Sequence, residues 1–414
     1  MATLLLVIFT LLPGIPHIVI LLAAAFAGGI ACYLIRKPAP GAETGEPAAQ
    51  NHLEPIGDED VSDNILIAVE IGYGLFPLVE DGKGTPLMTR IAGVRSQMSA
   101  EIGFAVPFVQ IKVNLSLEPN AYRIAIDGVI MGEGAVWPDE LVALDDGYAE
   151  SAIEGRPCKD PTFRMDAFWI SLDTKSLAIA EGYIVIDGST MIATHLSDIV
   201  RRNAAKLFGM EDAQKLLDLL SETSPEAVSN ITAQSLSVTD LTTICLELLG
   251  EKVPIKAFQQ IFLAILEASR IHSEMPQMVD AVRQNIGQLI VQSMVPTSLP
   301  LPVVTLDTEL ESLMVKALQL EESGGHSIEP RLAQEIIQAF DGAAWRLPSE
   351  VRNVALITLP VLRRPLSILL KQRFPDLTVL SYRELPDDKS IEVLTKIGVP
   401  QSDQTMAATD ANQI

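Results

Sequence analysis

"NILIAVEIGYGLFPLV", Asn64 to Val79, is where folded sequence begins. Apolar and β-branched residues alternate up to Ile71, which predicts a strand with one face in a core; Gly72, Gly74 and Pro77 then punctuate a turn. Downstream, Thr85 and Pro86 pair as N-cap and first helical residue. Leu87, Ile91, Val94, Met98 and Ile102 recur at helical spacing, so a helix with one apolar stripe packs here. "FVQIKV", "YRIAI" and "GVIMGEGAV" read as short strands, which makes residues 64–138 a small α/β unit.

Residues 139–187 form a second short α/β stretch containing "GRPCKDPTF", "AFWISL" and "GYIVID". Beyond Ser189 the periodicity turns helical and stays so to about Val295, with starts at Ser224-Pro225, at Ser237 or Thr239, and at Val253-Pro254. "PTSLPLP" (296–302) punctuates. "VVTL", two helices, "NVALIT", a helix from Pro360 to Phe374, "LTVLSY" and "IEVLTKI" then restore an α/β alternation, and a polar tail runs from Pro400. No repeat of fixed period is present.

Upstream of Asn64 the character changes. Residues 38–63 are rich in Pro, Gly, Ala and acid with almost no large apolar residue, the composition of a tether. Before them, Ile18 to Ile35 carry no charge over 18 residues, and at 1.5 Å per residue they span ~27 Å, enough for a transmembrane helix. The first basic residues, Arg36 and Lys37, follow that run, which places the rest of the chain in the cytoplasm; a cleaved signal peptide would carry its positive charge ahead of the run. Leu4 to Leu12, set off by Pro13-Gly14-Ile15-Pro16, resembles the tail of a preceding span.

The net charge of −23, from 53 acidic against 30 basic residues, argues against a nucleic-acid partner, which needs a basic footprint. Cys32, Cys158 and Cys245 lie far apart with no CxxC pair, as suits a reducing compartment. There is no Walker loop, dinucleotide fingerprint, HExxH, GxSxG or EF-hand, and the five histidines are not at ligand spacing, so no enzyme, cofactor or metal site is expected. His195 and Asp198, three apart, are the only hint of a hydrolytic pair. Thr194 before His195 reads as a helix cap. Asp160-Pro161 reads as a turn with Phe163 in a core. Arg363, Arg364, Lys371 and Arg373 read as a solvated face near a helix C-terminus.

Taken together, "LLPGIPH", "LLAAAFAGGIACYLIRK", "EIGYGLFPLV", "RIAGVRSQMSAEIGFAVPFVQI", "GRPCKDPTF…AFWI", "GYIVIDGSTMIATHLSDIV", "LLDLL" and "FPDLTVLSYRELPDD" resemble the flagellar and type III secretion export-gate family, FHIPEP, over residues 1 to about 398. The "IGYGLFPL" wording is closer to the flagellar, FlhA-like branch than to the virulence branch. "VQIKVNLSL" departs from the family's Arg-and-Asp-bearing version of that strand.

The resemblance implies a membrane segment at 1–37, here starting within the penultimate span with the earlier spans missing, and an acidic linker at 38–63. It implies a cytoplasmic domain of four subdomains. Residues 64–138 and 188–207 make a first α/β subdomain into which a second, 139–187, is inserted; 208–295 make an all-α subdomain and 296–398 a C-terminal α/β one, before a tail at 399–414. In the family that domain forms a ring of nine below an inner-membrane gate. It docks export chaperone–substrate complexes and meets the other gate subunits and, through the linker, the export ATPase complex and its stalk. The docking positions carry over to Asp160, Phe163 and Thr194, an aromatic anchor with an acid and a hydroxyl at its rim, and a conformational switch carries over to Gly72. A truncated paralogue that sequesters chaperones or ring subunits without exporting is the second reading.

Overall fold

The alternation around Ile67 resolves into β1 (Ile67–Ile71), whose Ile67, Val69 and Ile71 are fully buried. In the computed structural model, which describes residues 66–79, 86–147, 149, 151–225, 236–320, 330–344 and 354–398, a 3-10 turn follows at Tyr73–Leu78. Helix α1 (Pro86–Ile102) then crosses back to β2 (Val109–Val113), parallel to β1. β3 (Ala121–Ile126) pairs antiparallel with β1, and β4 (Val129–Ala135) with β3, so the first sheet has the order β2-β1-β3-β4. On α1, Leu87, Ile91, Met98 and Ile102 of the expected stripe are buried and Val94 is half-buried.

The second sheet is antiparallel in the order β6-β7-β5-β8, from β5 (Leu141–Leu144), β6 (Arg156–Lys159), β7 (Asp166–Ile170) and β8 (Ile184–Asp187). All four residues of β5 are buried because the sheet is covered on both sides. Leu141 and Ala143 meet the short helix α2 (Lys175–Ala180) through Ala178, while Val142 and Leu144 face the main core with Trp169. Asp187 ends β8 and caps α3 (Gly188–Arg202), accepting from the Thr190 backbone N–H at 2.7 Å. That helix returns to pack on α1, so the second sheet is flanked in sequence by two elements that touch each other.

Helices α4 (Ala204–Leu207), α5 (Met210–Thr223), α6 (Val238–Gly250), α7 (Phe258–Ile271), α8 (Met275–Asn285) and α9 (Gly287–Met294) follow without a strand among the described residues. Ser237 and Asp240 form a reciprocal capping box at the start of α6, which decides between the two starts the sequence allowed. The start expected at Val253-Pro254 falls later, at Phe258, after a turn that contains Lys252 at φ 61°. The last sheet is all parallel, order β11-β10-β9-β12: β9 (Leu301–Leu306), β10 (Ala355–Thr358), β11 (Thr378–Ser381) and β12 (Ile391–Ile397). Helices α10 (Thr308–Leu320), α11 (Pro330–Ala344) and α12 (Pro360–Leu370) connect it, and all described residues belong to one compact unit, Asn64–Ile414.

The arginines near Pro360 overturn the solvated-face expectation. Arg363 is 2% exposed and pairs at 2.6 Å with both Glu251 and Asp280. Arg283 of α8, 1% exposed, pairs with Glu251 at 2.8 Å and Glu384 at 2.9 Å. Two guanidinium groups and three carboxylates thus bolt the helical region to the last sheet. Burial would push the Glu251 carboxyl up, but Arg283 and Arg363 hold it below its ordinary value. No helix among the described residues is long and apolar enough to cross a membrane. The expected span at 18–35, the linker at 38–63, the Thr85 cap, Cys32 and the polar tail lie outside the described residues.

Candidate docking groove

The second sheet's β6–β7 hairpin carries the first two site residues. Its loop, Asp160 to Met165, is closed by the Asp160 N–H donating to the Met165 carbonyl at 3.0 Å and the Arg164 N–H to the Asp160 carbonyl at 2.9 Å. The Asp160 carboxylate accepts from the N–H groups of Thr162 at 3.0 Å and Phe163 at 2.6 Å, and Arg164 turns the chain at φ 58°. With both N–H groups fixed, the Phe163 ring stands out of the loop, 48% exposed.

Two of the expectations change here. Phe163 is not core. Asp160, 3% exposed, is not a rim acid: its oxygens are turned inward, and it acts by holding the turn that presents the ring. The Asp160-Pro161 turn itself is as the residues imply.

Thr194 lies in the middle of α3, not at its start; Asp187 is the cap. Thr190, Ala193, Thr194, Ser197 and Arg201 share one face of α3, and Arg90, Gly93, Val94 and Gln97 one face of α1, both at i, i+3, i+4, i+7 spacing. These two stripes and Phe163 enclose an open groove of about 460 Å³. Phe163 and Thr194 are therefore brought together; Gly72 is not among the groove residues.

The groove's charges are already matched. Arg90 meets Asp187 at 2.6 Å, Arg201 meets Glu101 at 3.0 Å, and Arg202 meets Asp198 at 2.9 Å. The centre is therefore apolar and hydroxyl-bearing, a surface suited to an uncharged protein segment.

His195, one residue on, points the other way. It is 6% exposed, and its Nδ1 shares a 2.9 Å hydrogen bond with the Tyr122 hydroxyl. A side chain on Gly132 would come within 2.6 Å of its Nε2, so β4 lies directly over the ring. Burial pulls the imidazole below its ordinary value against the opposing pull of Asp198 and Asp160, with Arg202 adding to the lowering. Asp198 is bound to Arg202, so the two residues do not form a hydrolytic pair. Among the described residues no group of three His, Cys, Asp or Glu could hold a metal ion.

Gly72 has an ordinary φ of −68°, but a side chain there would meet the Glu118 carbonyl oxygen at 2.1 Å and that of Pro119 at 2.6 Å. Its constraint is close approach, not left-handed backbone. The α1 half of the groove was missed in the sequence. Its polar residues at 90 and 97 alternate with the apolar stripe, and the glycine at 93 sits mid-helix, the one available signal.

A family model described as the FHIPEP family matches residues 1–390. The chain belongs to the FHIPEP family. It is 32% identical over 391 residues to the flagellar biosynthesis protein FlhA of Salmonella typhimurium, covering 94% of this chain and 56% of that one. It thus spans about half the length of the curated relatives it matches. Among solved structures, the Chlamydia pneumoniae CdsV and CdsO protein complex matches with a TM-score of 0.71 at 20% identity, over 82% of this chain and 100% of that one. A nonameric EPEC SctV-C matches with a TM-score of 0.64 at 18% identity, over 81% and 99%. These likenesses show the fold, a mixed α/β domain of the FHIPEP kind.

Proposed function

We propose that this chain is the cytoplasmic docking and switching platform of a flagellar protein export gate at the bacterial inner membrane. It receives export chaperones with their substrates, and it works as a binding surface and not as a catalyst. The observation that carries this is the half-exposed Phe163 ring held beside Thr194 over an open, charge-neutral groove. Buried aromatic anchors ringed by polar groups supply most of the affinity in protein interfaces. The likeness to a nonameric cytoplasmic domain supports assembly as a ring of nine, and the likeness to CdsV in complex with CdsO supports contact with a second protein. We assign the switch to Gly72: it lets the 118–120 turn close on the end of β1, so a change in that contact moves the 3-10 turn and the loop together.

A photo-reactive residue in place of Thr194 tests the docking role directly. Mixed with a purified flagellar chaperone–substrate complex, it should cross-link to that complex, while the same residue in place of exposed Met210 should not. Equal cross-linking at both positions, or none at 194, contradicts the groove.

A further inference from the structure

β4 ends the first sheet, β6 ends the second, and both border one cleft of about 610 Å³ that is also lined by Met191 and His195 of α3. Five successive residues of β4, Met131–Ala135, line it, as do all four of β6, Arg156–Lys159. Side chains alternate between the two faces of a strand, so a cavity touched by every residue in turn lies along the strand's edge and meets its main chain. The ladder fixes which groups those are. The Val136 N–H donates to the Asn120 carbonyl at 2.9 Å, continuing the register that pairs Ala121 with Ala135 and Tyr122 with Gly134. Bonded and non-bonded pairs alternate in an antiparallel ladder, so Gly132 and Gly134 bond to β3 while Glu133 and Ala135 turn their N–H and C=O groups to the open edge.

The two edges differ. β6 carries Pro157, which lacks an N–H, and Lys159, both devices that keep another strand off. β4 has no proline or lysine, and its one register shift, opposite Ile124 and Ala125, leaves Gly132–Ala135 regularly paired. Its glycines face the His195 and Tyr122 rings, where a side chain would come within 2.6 Å of each. No side chain at 132 or 134 therefore covers the strand.

The lining charges choose among strands. Arg156 is committed to Glu140 at 2.7 Å and lies 3.6 Å over the Trp137 ring. Arg164, exposed and held at φ 58°, makes no ion pair among the described residues. Lys159 meets Asp166 at 3.1 Å with the two side chains 72% and 74% exposed, a pair that holds little. The acids are taken: Glu133 by Arg123 at 2.6 Å, and Asp160 by the N–H groups of its own turn. In a chain of net charge −23, this leaves a local excess of available positive charge.

We propose that this cleft binds an extended, acid-bearing segment of a partner protein, which adds to the first sheet as a fifth strand along β4 and sets its carboxylates against Arg164 and Lys159. Main-chain bonds to Glu133 and Ala135 supply affinity without demanding a fixed sequence, and the two cations select for acid. The site is separate from the groove beside Phe163 and does not rest on that reading. The chain's own acidic stretch, 38–63, makes a poorer strand: it has three β-branched residues against four prolines and three glycines.

The test selects peptides of about twelve residues from a random library on the immobilised chain, in the presence of excess soluble Ala135→Pro protein. That variant withholds one edge N–H and keeps every binder that does not use the edge away from the parent. Survivors should be rich in Asp and Glu. They should bind the parent and Ala135→Val alike, bind Ala135→Pro at least about tenfold more weakly, and lose roughly threefold in Arg164→Asn, a residue that a left-handed position accepts. In synthetic copies, N-methylation of one set of alternate amides should abolish binding to the parent and of the other set should spare it, because only every second N–H of an added strand faces β4. This last measurement uses the parent alone, so it holds whatever the stability of Ala135→Pro. No survivors, or survivors indifferent to both sets of N-methylation, overturn the added strand. Survivors rich in Lys and Arg overturn the acidic occupant. If a peptide of residues 38–63 displaces the survivors with equal affinity, or Ala135→Pro changes the sedimentation of the chain alone, the occupant is this chain and the proposal falls.

Discussion

The seam between α8 and the last sheet and the groove between α1 and α3 use the same residue types in opposite ways. At the seam, Arg283 and Arg363 are at most 2% exposed and share Glu251, so every charge there depends on its partners. At the groove, Arg90 and Arg201 keep about two-fifths of their side-chain surface in water while paired. A buried ion network is costly to break and marks a joint that stays shut; exposed pairs are cheap to rearrange and leave the surface between them free for a partner.

The largest test of that contrast is Arg283→Ala. It leaves Glu384 and part of Glu251 buried without a counter-charge, and urea unfolding should show a loss of about 3–5 kcal/mol. The network should also give acid sensitivity. Glu251 has its carboxyl held below its ordinary value in the folded chain, so the stability it contributes is complete above the ordinary carboxylate range and is lost as pH falls through the folded value. Arg363→Met with Glu251→Gln should flatten that acid limb, seen as a smaller drop in melting temperature between about pH 5 and about pH 3.

Gly72→Ala comes next. The new methyl overlaps the Glu118 and Pro119 carbonyls, and an overpacked site of this kind costs roughly 1–3 kcal/mol, read by the same unfolding curve. Asp160→Ala removes the acceptor for two N–H groups of the Phe163 turn. It should lower stability by about 1–2 kcal/mol and lower chaperone–substrate binding further than that small change explains, because the ring is no longer held out. His195→Gln should leave binding intact and reduce the loss of stability as pH falls from about 6.5, since the buried neutral imidazole of the parent must take up a proton there to unfold. Smallest of all, Arg201→Gln at the groove's edge should change stability by less than about 1 kcal/mol.

Much of the fold was legible because the strands and helices that matter carry their own periodicity. The stripe on α1 and the alternation in β1 are local patterns, and both lie where the residues put them. The Asp160-Pro161 turn was legible for the same reason. What the residues could not reveal is direction in space. Phe163 reads as core by its type and is exposed because Asp160 fixes the turn beneath it. The resemblance makes Asp160 a rim acid, and it is buried for the same reason. Thr194 resembles a cap only until Asp187 is seen to take that place seven residues earlier. Arg363 reads as surface because its partners, Glu251 and Asp280, lie 112 and 83 residues away in sequence. The α1 side of the groove was invisible for a related reason: its residues become a site only when α3 returns across the second sheet to lie beside them.

The most direct measurement is a calorimetric titration of a purified flagellar chaperone–substrate complex into this chain and into Phe163→Ala, with unfolding curves of both. The groove account expects binding to the parent and a loss of at least tenfold in affinity in the variant, roughly the 2 kcal/mol or more of an interface anchor, at unchanged stability. Equal affinities for the two chains would contradict it.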